Sequence, residues 1–309
     1  MSSNPFHTPP EPGGAMLPQQ GRQTAWMRAN SAWRYATNHV VTVLAITSTV
    51  LVIAPLVAIL IYLLYMGASS LNVAFFTHIP APVGESGGGM ANAIVGSAII
   101  LAMASLMGIP VGIAAGVYLA EFGRGKMLAS AIRFTADVLN GVPSIVMGIA
   151  AWVVLVDGHG FSAFAGSVAL AIMMVPTVAR TTEEMLVTVP HSIREAALGL
   201  GVPKWRMVLS VSLKTASPGI ITGCMLAFAR VAGETAPLLF TAFGNQFWSF
   251  NLGQPIAALP LQIYAYAISP YDEWHRLAWA GSLVLIVMIM AAVTLVRIYA
   301  ARGILKGTS

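Results

Sequence analysis

The sequence predicts an all-α integral membrane protein with six transmembrane helices. Three observations carry that prediction. Of 309 residues, 57% are hydrophobic and only 9% are charged, with a mean hydropathy of +0.78, whereas soluble domains average about 25% charged residues. Six apolar segments each reach the length a bilayer requires, roughly 20 residues. Fourteen of the 16 lysines and arginines fall on one side of the membrane that these six segments define. The net charge of +5 thus has a topological origin. No basic patch is interleaved with stacking aromatics, so a nucleic-acid partner is excluded.

Residues 1–38 are polar and rich in Pro, Gly and Gln, and read as a disordered cytoplasmic tail. They are not a cleaved signal peptide. The apolar stretch that follows is too long and lacks a nearby small-residue cleavage site. Residues 39–309 form the membrane domain.

Val40–Met66 is uncharged and makes the first span. The external loop Gly67–Ala91 ends in Gly87-Gly88-Gly89 and reads as mobile. Asn92–Ala120 is the second span, where Gly108, Pro110 and Gly112 predict a kink. Phe134–Val156 is the third, with Pro143 as a further kink. Asp137 lies four residues after Arg133, a spacing that predicts an ion pair at the interface. Asn140 and Ser144 offer hydrogen bonds to a passing anion. Phe161–Ala179 is the fourth span, Gly219–Phe243 the fifth and Leu277–Val296 the sixth. Between the last two, Ile256–Ile268 is apolar but too short to span easily. With Trp248, Tyr264, Tyr266, Tyr271 and Trp274 around it, it reads as interfacial or re-entrant.

Orientation follows from the basic residues. Arg22, Arg28 and Arg34 precede the first span; Arg124, Lys126 and Arg133 lie between the second and third. Arg180, Arg194, Lys204, Arg206 and Lys214 lie between the fourth and fifth, and Arg297, Arg302 and Lys306 follow the sixth. Arg276 alone falls on the opposite side. Both termini are therefore expected in the cytoplasm.

Arg230 stands inside the fifth span, four residues before Glu234. A guanidinium at bilayer depth costs at least ~2.5–3.5 kcal/mol, so it needs a partner or a task. On an unbroken helix the two side chains share a face, and Glu234 partly neutralises Arg230. One reading is a structural ion pair that locks helix packing. The reading favoured here is an anion pathway, because a planar guanidinium suits bidentate contact with phosphate or carboxylate.

No catalytic constellation is present. The phosphate-cradling G-x-x-x-x-G-K-[ST] run is absent, so this chain does not hydrolyse ATP by itself. No paired Cys/His spacing suggests a metal. Cys224 reads as a packing residue, and His159 and His191 are isolated.

The long cytoplasmic segment 180–217 carries the other informative element. Ser192 and Glu195 fit a capping box, and Ile193, Ala196, Ala197 and Leu200 recur on one helical face. Gly201 is a plausible helix stop. A short amphipathic helix with small side chains suits a partner's groove better than a lipid surface, where Trp, Phe and Leu are preferred.

The string Glu195-Ala-Ala-Leu-Gly-Leu-Gly201 resembles the EAA loop of ABC-importer permeases. Where that family commonly has Leu-Pro, this chain has Leu213-Lys214, with its proline at Pro218. Four further strings resemble the phosphate-specific permeases, of the PstA type more than the PstC type. They are Gly88–Gly96, Leu139–Gly148, Ala229-Arg-Val-Ala-Gly-Glu-Thr-Ala-Pro237 and Leu252-Gly-Gln-Pro255.

The resemblance implies a type I ABC-importer permease in a bacterial inner membrane. Its coupling helix would comprise Glu195, Ala196, Ala197 and Gly201, and Arg230, Glu234 and Thr235 would line the phosphate route. The implied partners are a second permease of PstC type, two copies of a PstB-type ATPase that uses the ATP, and an external PstS-type phosphate-binding protein. No cofactor resides in this chain. The alternatives are a permease for sulfate, molybdate or phosphonate, an enzyme acting on lipid-linked phosphate, or a structural scaffold. For the enzyme no acid/base pair is apparent, and the scaffold explains neither Arg230 nor the coupling loop.

Overall fold

A computed structural model describes the backbone of residues 19–83, 85 and 87–306, and the side chains of these between 33 and 300. The chain divides into two units, residues 1–61 and 62–309.

In the first unit helix α1 (Gln19–Ser70) begins and continues past the boundary. Every described side chain from Trp33 to Ile61 is exposed, and most are apolar. Thr37 and Thr49 donate their hydroxyls back to Trp33 O and Ala45 O, both at 2.8 Å. These two hydroxyls are therefore satisfied within the helix, as a lipid-facing surface requires. The tail expected to be disordered over 1–38 is helical from Gln19 onward; residues 1–18 lie outside the described residues. Once a span is helical, adding good helix formers such as Gln, Ala, Met and Arg to its end is cheap.

The second unit holds the rest. After α2 (Val73–Thr77), α3 (Ala91–Val117) ends in a π-helical turn, Tyr118–Phe122. Helices α4 (Met127–Gly141), α5 (Ser144–Leu155) and α6 (Ala163–Val187) follow. Next come α7 (His191–Gly199), α8 (Lys204–Met207) with a second π turn (Val208–Ser212), and α9 (Leu213–Ala232). Helices α10 (Ala236–Thr241), α11 (Leu259–Ala267) and α12 (Asp272–Lys306) complete the chain.

The centre of the unit is α3 against α6. Gly108, Gly112 and Gly116 recur every four residues on one face of α3. A Cβ added at each would lie 3.0, 2.6 and 2.5 Å from atoms of Ala171, Val178 and Thr182 respectively. Such backbone proximity is how apolar helices associate where lipid competes for greasy side chains. The contacts advance together along both helices, so α3 and α6 are parallel. Pro110 is accommodated within α3 without interrupting it.

Helix α4 runs the other way. Arg133 meets Glu183, Asp137 meets Arg180, and Asn140 accepts from Thr177, so rising numbers on α4 meet falling ones on α6. Two parallel helices can follow one another only if the chain between them crosses back. The α4–α5 segment is that crossing, which makes six with α1, α3, α6, α9 and α12.

The expected third span, Phe134–Val156, is not one helix. Helices α4 and α5 meet at 110°. Pro143 lacks an N–H and excludes Val142 from the α region, leaving Val142 extended at φ −71°, ψ 131°. The expected Arg133–Asp137 pair does not form either. Arg133 Nε instead donates to Glu183 Oε1 at 2.7 Å, and its Nη2 to Leu119 O at 3.2 Å. A buried carboxylate on the neighbouring helix outcompetes an exposed one on the same helix.

Two further expectations change. Gly88 and Gly89, read as mobile, are buried. Gly89 N bonds Ile79 O at 3.0 Å, and Met90 N bonds Phe75 O at 3.0 Å. The outer segment is packed into the protein: Ile256, Ala257, Ala258 and Leu259 are all at most 2% exposed. Leu259 N donates to the buried Ser97 Oγ at 2.7 Å, and Asn92 Nδ2 to Asn245 O at 3.0 Å. Its carbonyls also serve α6, whose Ala163 and Phe164 N–H groups bond Gln254 O and Leu252 O at 2.9 Å. The Leu252–Pro255 string is thus a cap for the neighbouring helix.

Candidate functional site: two broken helices and a cytoplasmic clamp

Arg230 and Glu234 do not share a helix face. Helix α9 stops at Ala232, Gly233 caps it, and α10 starts only at Ala236. Pro237 dictates the break, because within a continuous helix its ring would strike the carbonyl of Gly233. Among the described residues no ion pair within 4 Å includes Arg230 or Glu234. The expected i,i+4 pair is therefore absent. Arg230 is exposed in the last turn of α9, where the helix dipole favours a cation. Glu234 and Thr235 are half-buried in the break itself.

The second broken segment packs onto the first. A Cβ on Gly148 of α5 would sit 2.9 Å from Pro237 Cα and 3.1 Å from Ala236 O. The string Leu139–Gly148 and the string Ala229–Pro237 are thereby brought together, each containing a proline-enforced interruption. Irregular backbone at membrane depth persists where protein or a water-filled route surrounds it, and discontinuous helices are a usual setting for transported solutes. Asn140 accepts from Thr177 Oγ1 at 3.1 Å, and Ser144 is half-buried at the start of α5.

At the opposite end of α6 stands α7, the expected amphipathic helix. It begins two residues earlier than the capping box requires: Pro190 is the N-cap and Ser192 lies inside the first turn, with no side-chain capping bond. Proline fixes its own φ and needs no N–H, so it displaces serine from that role. Gly201 is the stop that was expected, at φ +78°, where L-residues are strained. Glu195, Ile193, Ala196 and Leu200 are exposed and Ala197 is half-buried, so the expected apolar face points outward.

The residue of α7 that is buried is Arg194, to which sequence reasoning gave no role. Its Nη2 lies 3.0 Å from Glu121 Oε1, with side chains 8% and 4% exposed. Arg194 Nη2 also donates to Leu186 O. The Glu121 main-chain carbonyl accepts from Lys204 Nζ at 2.7 Å, and that ammonium sits 4.8 Å from the Phe122 ring. No spacing in the sequence links residues so far apart. The one available signal was an isolated acid at the end of an uncharged span.

Residues 108–304 match the family described as binding-protein-dependent transport system inner membrane component. A Yersinia pestis protein named phosphate transport system permease protein PstA is 45% identical over 89% of this chain and 94% of its own length. Relatives of the same name from Xylella fastidiosa (strain Temecula1) and Haemophilus influenzae are 50% and 41% identical, over 74% and 86% of this chain and 80% and 95% of theirs. The chain belongs to the PstA family of permeases. Among solved structures, a chain of the inward-facing MetNI methionine ABC transporter is similar with a TM-score of 0.52 at 19% identity, over 70% of this chain and 95% of that one. A chain from an amino acid ABC transporter gives 0.52 at 18%, over 69% and 92%. The fold is that of ABC-importer permeases. The chain is a transport subunit and not an enzyme.

Proposed function

We propose that this chain is the transmembrane permease subunit of an ATP-driven importer of inorganic phosphate, forming half of the translocation pathway. The observation that carries the reading is Arg230: a permanently charged guanidinium, exposed beside a break in a membrane helix, with no carboxylate within 4 Å among the described residues. A cation with no ion partner and a planar donor fork suits a mobile oxyanion. Glu234 and Thr235 border the same break; the carboxylate raises the cost of holding a second negative charge, and a site that releases its ion conducts better than one that traps it.

The proposed assembly contains a second permease of PstC type, two PstB-type ATPase subunits that consume the ATP, and a PstS-type phosphate-binding protein outside, within membrane lipid. Both termini lie in the cytoplasm in this reading, supported by the basic residues and by the six crossings. Glu195, Ala196, Ala197 and Gly201 form the helix that docks to the ATPase. Reconstituted with these partners in vesicles, the chain is expected to support ATP-dependent uptake of labelled phosphate that excess sulfate, molybdate or a phosphonate does not suppress. Uptake driven equally by one of those competitors would overturn phosphate as the substrate.

A further inference from the structure

Glu121 is a buried acid at the cytoplasmic end of a span, and neither the anion route nor the docking face uses it. Its carboxylate faces Arg194 of α7 at 3.0 Å. Its main-chain carbonyl takes the Lys204 ammonium at 2.7 Å, from the segment just beyond α7. One residue therefore holds both the docking helix and the segment just beyond it. The π-helical turn Tyr118–Phe122 makes this possible, since its altered register ends α3 with that carbonyl free to accept from a side chain.

We propose that the Glu121–Arg194–Lys204 contact is the strut that transmits movement of α7 to the membrane helices. Three features make the connection stiff. Helix α7 follows α6 after only Thr188, Val189 and Pro190, and Val189 is 4% exposed. Helix α6 is locked to α3 through the glycine face, where backbones are too close to slide without clashing. Arg194 and Lys204 then tie α7 back to the end of α3, closing the path α3–α6–α7 into a loop. A force on the outward face of α7 displaces α3 and α6 together instead of bending the loop. The contact itself is directional: the guanidinium also donates to Leu186 O on α6, and Glu121 Oε1 and Arg194 Nε form no well-aligned hydrogen bond. A buried ion pair held without optimal alignment suits a joint loaded during movement.

This inference rests on the proposed coupling to an ATPase, and its test separates the two. The complete transporter, with ATPase and binding protein, is reconstituted in vesicles, and phosphate uptake and ATP hydrolysis are measured in the same sample. A wild-type complex that hydrolyses ATP without phosphate uptake would sink the functional reading, not the strut. Given wild-type uptake, Glu121→Gln is expected to keep the ATPase bound and hydrolysing while phosphate moved per ATP falls about tenfold, the size of a typical coupling energy between sites. Arg194→Lys retains the charge and is expected to keep most of that ratio. An unchanged ratio in assembled Glu121→Gln, or a parallel loss of hydrolysis and uptake, would overturn the strut. If Glu121→Gln fails to assemble, Lys204→Met decides the matter: a lowered ratio supports the strut and an unchanged ratio overturns it.

Discussion

Arg194 and Arg230 carry the same guanidinium into opposite surroundings. Arg194 belongs to a nine-residue helix outside the spans, yet is 6% exposed, with an acid and a carbonyl as partners. Arg230 lies in an apolar membrane helix, yet is exposed and has no ion partner within 4 Å among the described residues. A paired arginine in a packed joint cannot serve a passing solute without breaking the joint. An unsatisfied one at a helix break has its donors to offer. Partners, more than position along a hydropathy profile, distinguish the arginine proposed as a strut from the one proposed to face the substrate.

The contrast can be broken most directly at Arg230. Charge-assisted hydrogen bonds contribute about 1.5–3 kcal/mol each, so losing the guanidinium fork in Arg230→Gln is expected to cut phosphate uptake about a hundredfold or more. Thermal stability of the assembled complex should hold, because an exposed side chain without an ion partner is removed. Glu234→Gln is expected to act more weakly, since no ion pair is lost. Normal uptake by Arg230→Gln in vesicle assays would place the two arginines in the same structural class.

A smaller effect is expected in the rigid half of the comparison. Gly112→Val places atoms where a Cβ alone would already be 2.6 Å from Val178. Overpacking of this kind costs about 1–3 kcal/mol and should appear as a lower Tm, with uptake reduced only in proportion to folded protein. An unchanged Tm would show that α3 and α6 are not locked, removing the body on which the Arg194 contact acts.

The smallest effect on stability belongs to the outward face of α7. Glu195→Lys alters an exposed residue, so folding stability is expected within about 0.5 kcal/mol of wild type while capture of the ATPase subunit in a pull-down falls. Undiminished capture would remove Glu195 from the docking surface and leave the buried Arg194 side as the only functional face of α7.

Much of the site was legible in residues with local consequences. Val40–Met66 and Leu277–Val296 lie within α1 and α12 because long uncharged runs have one solution in a bilayer. Gly201 ends α7 because a positive φ is a local demand that glycine meets cheaply. Pro143 was read as a kink, and it and Pro237 each mark a break, since the loss of an N–H acts within one turn. The size of those breaks was another matter. A 110° turn at Val142–Pro143 goes with α5 packing against Pro237 and Ala236, and Arg230 loses Glu234 because α9 ends at Ala232 and α10 restarts only at Ala236.

Ion pairing shows the same division. Helical spacing named Asp137 for Arg133 and Glu234 for Arg230, whereas the fold supplied Glu183 to the first and no carboxylate to the second. The sequence by itself determined where the chain enters and leaves the membrane, which helices stop, and which charges are too costly to be idle. Only the tertiary structure decided which charges meet, because an ion pair depends on distances of a few ångströms between helices. Those distances are set by the glycine contacts of α3 with α6 and by the direction in which each broken helix resumes.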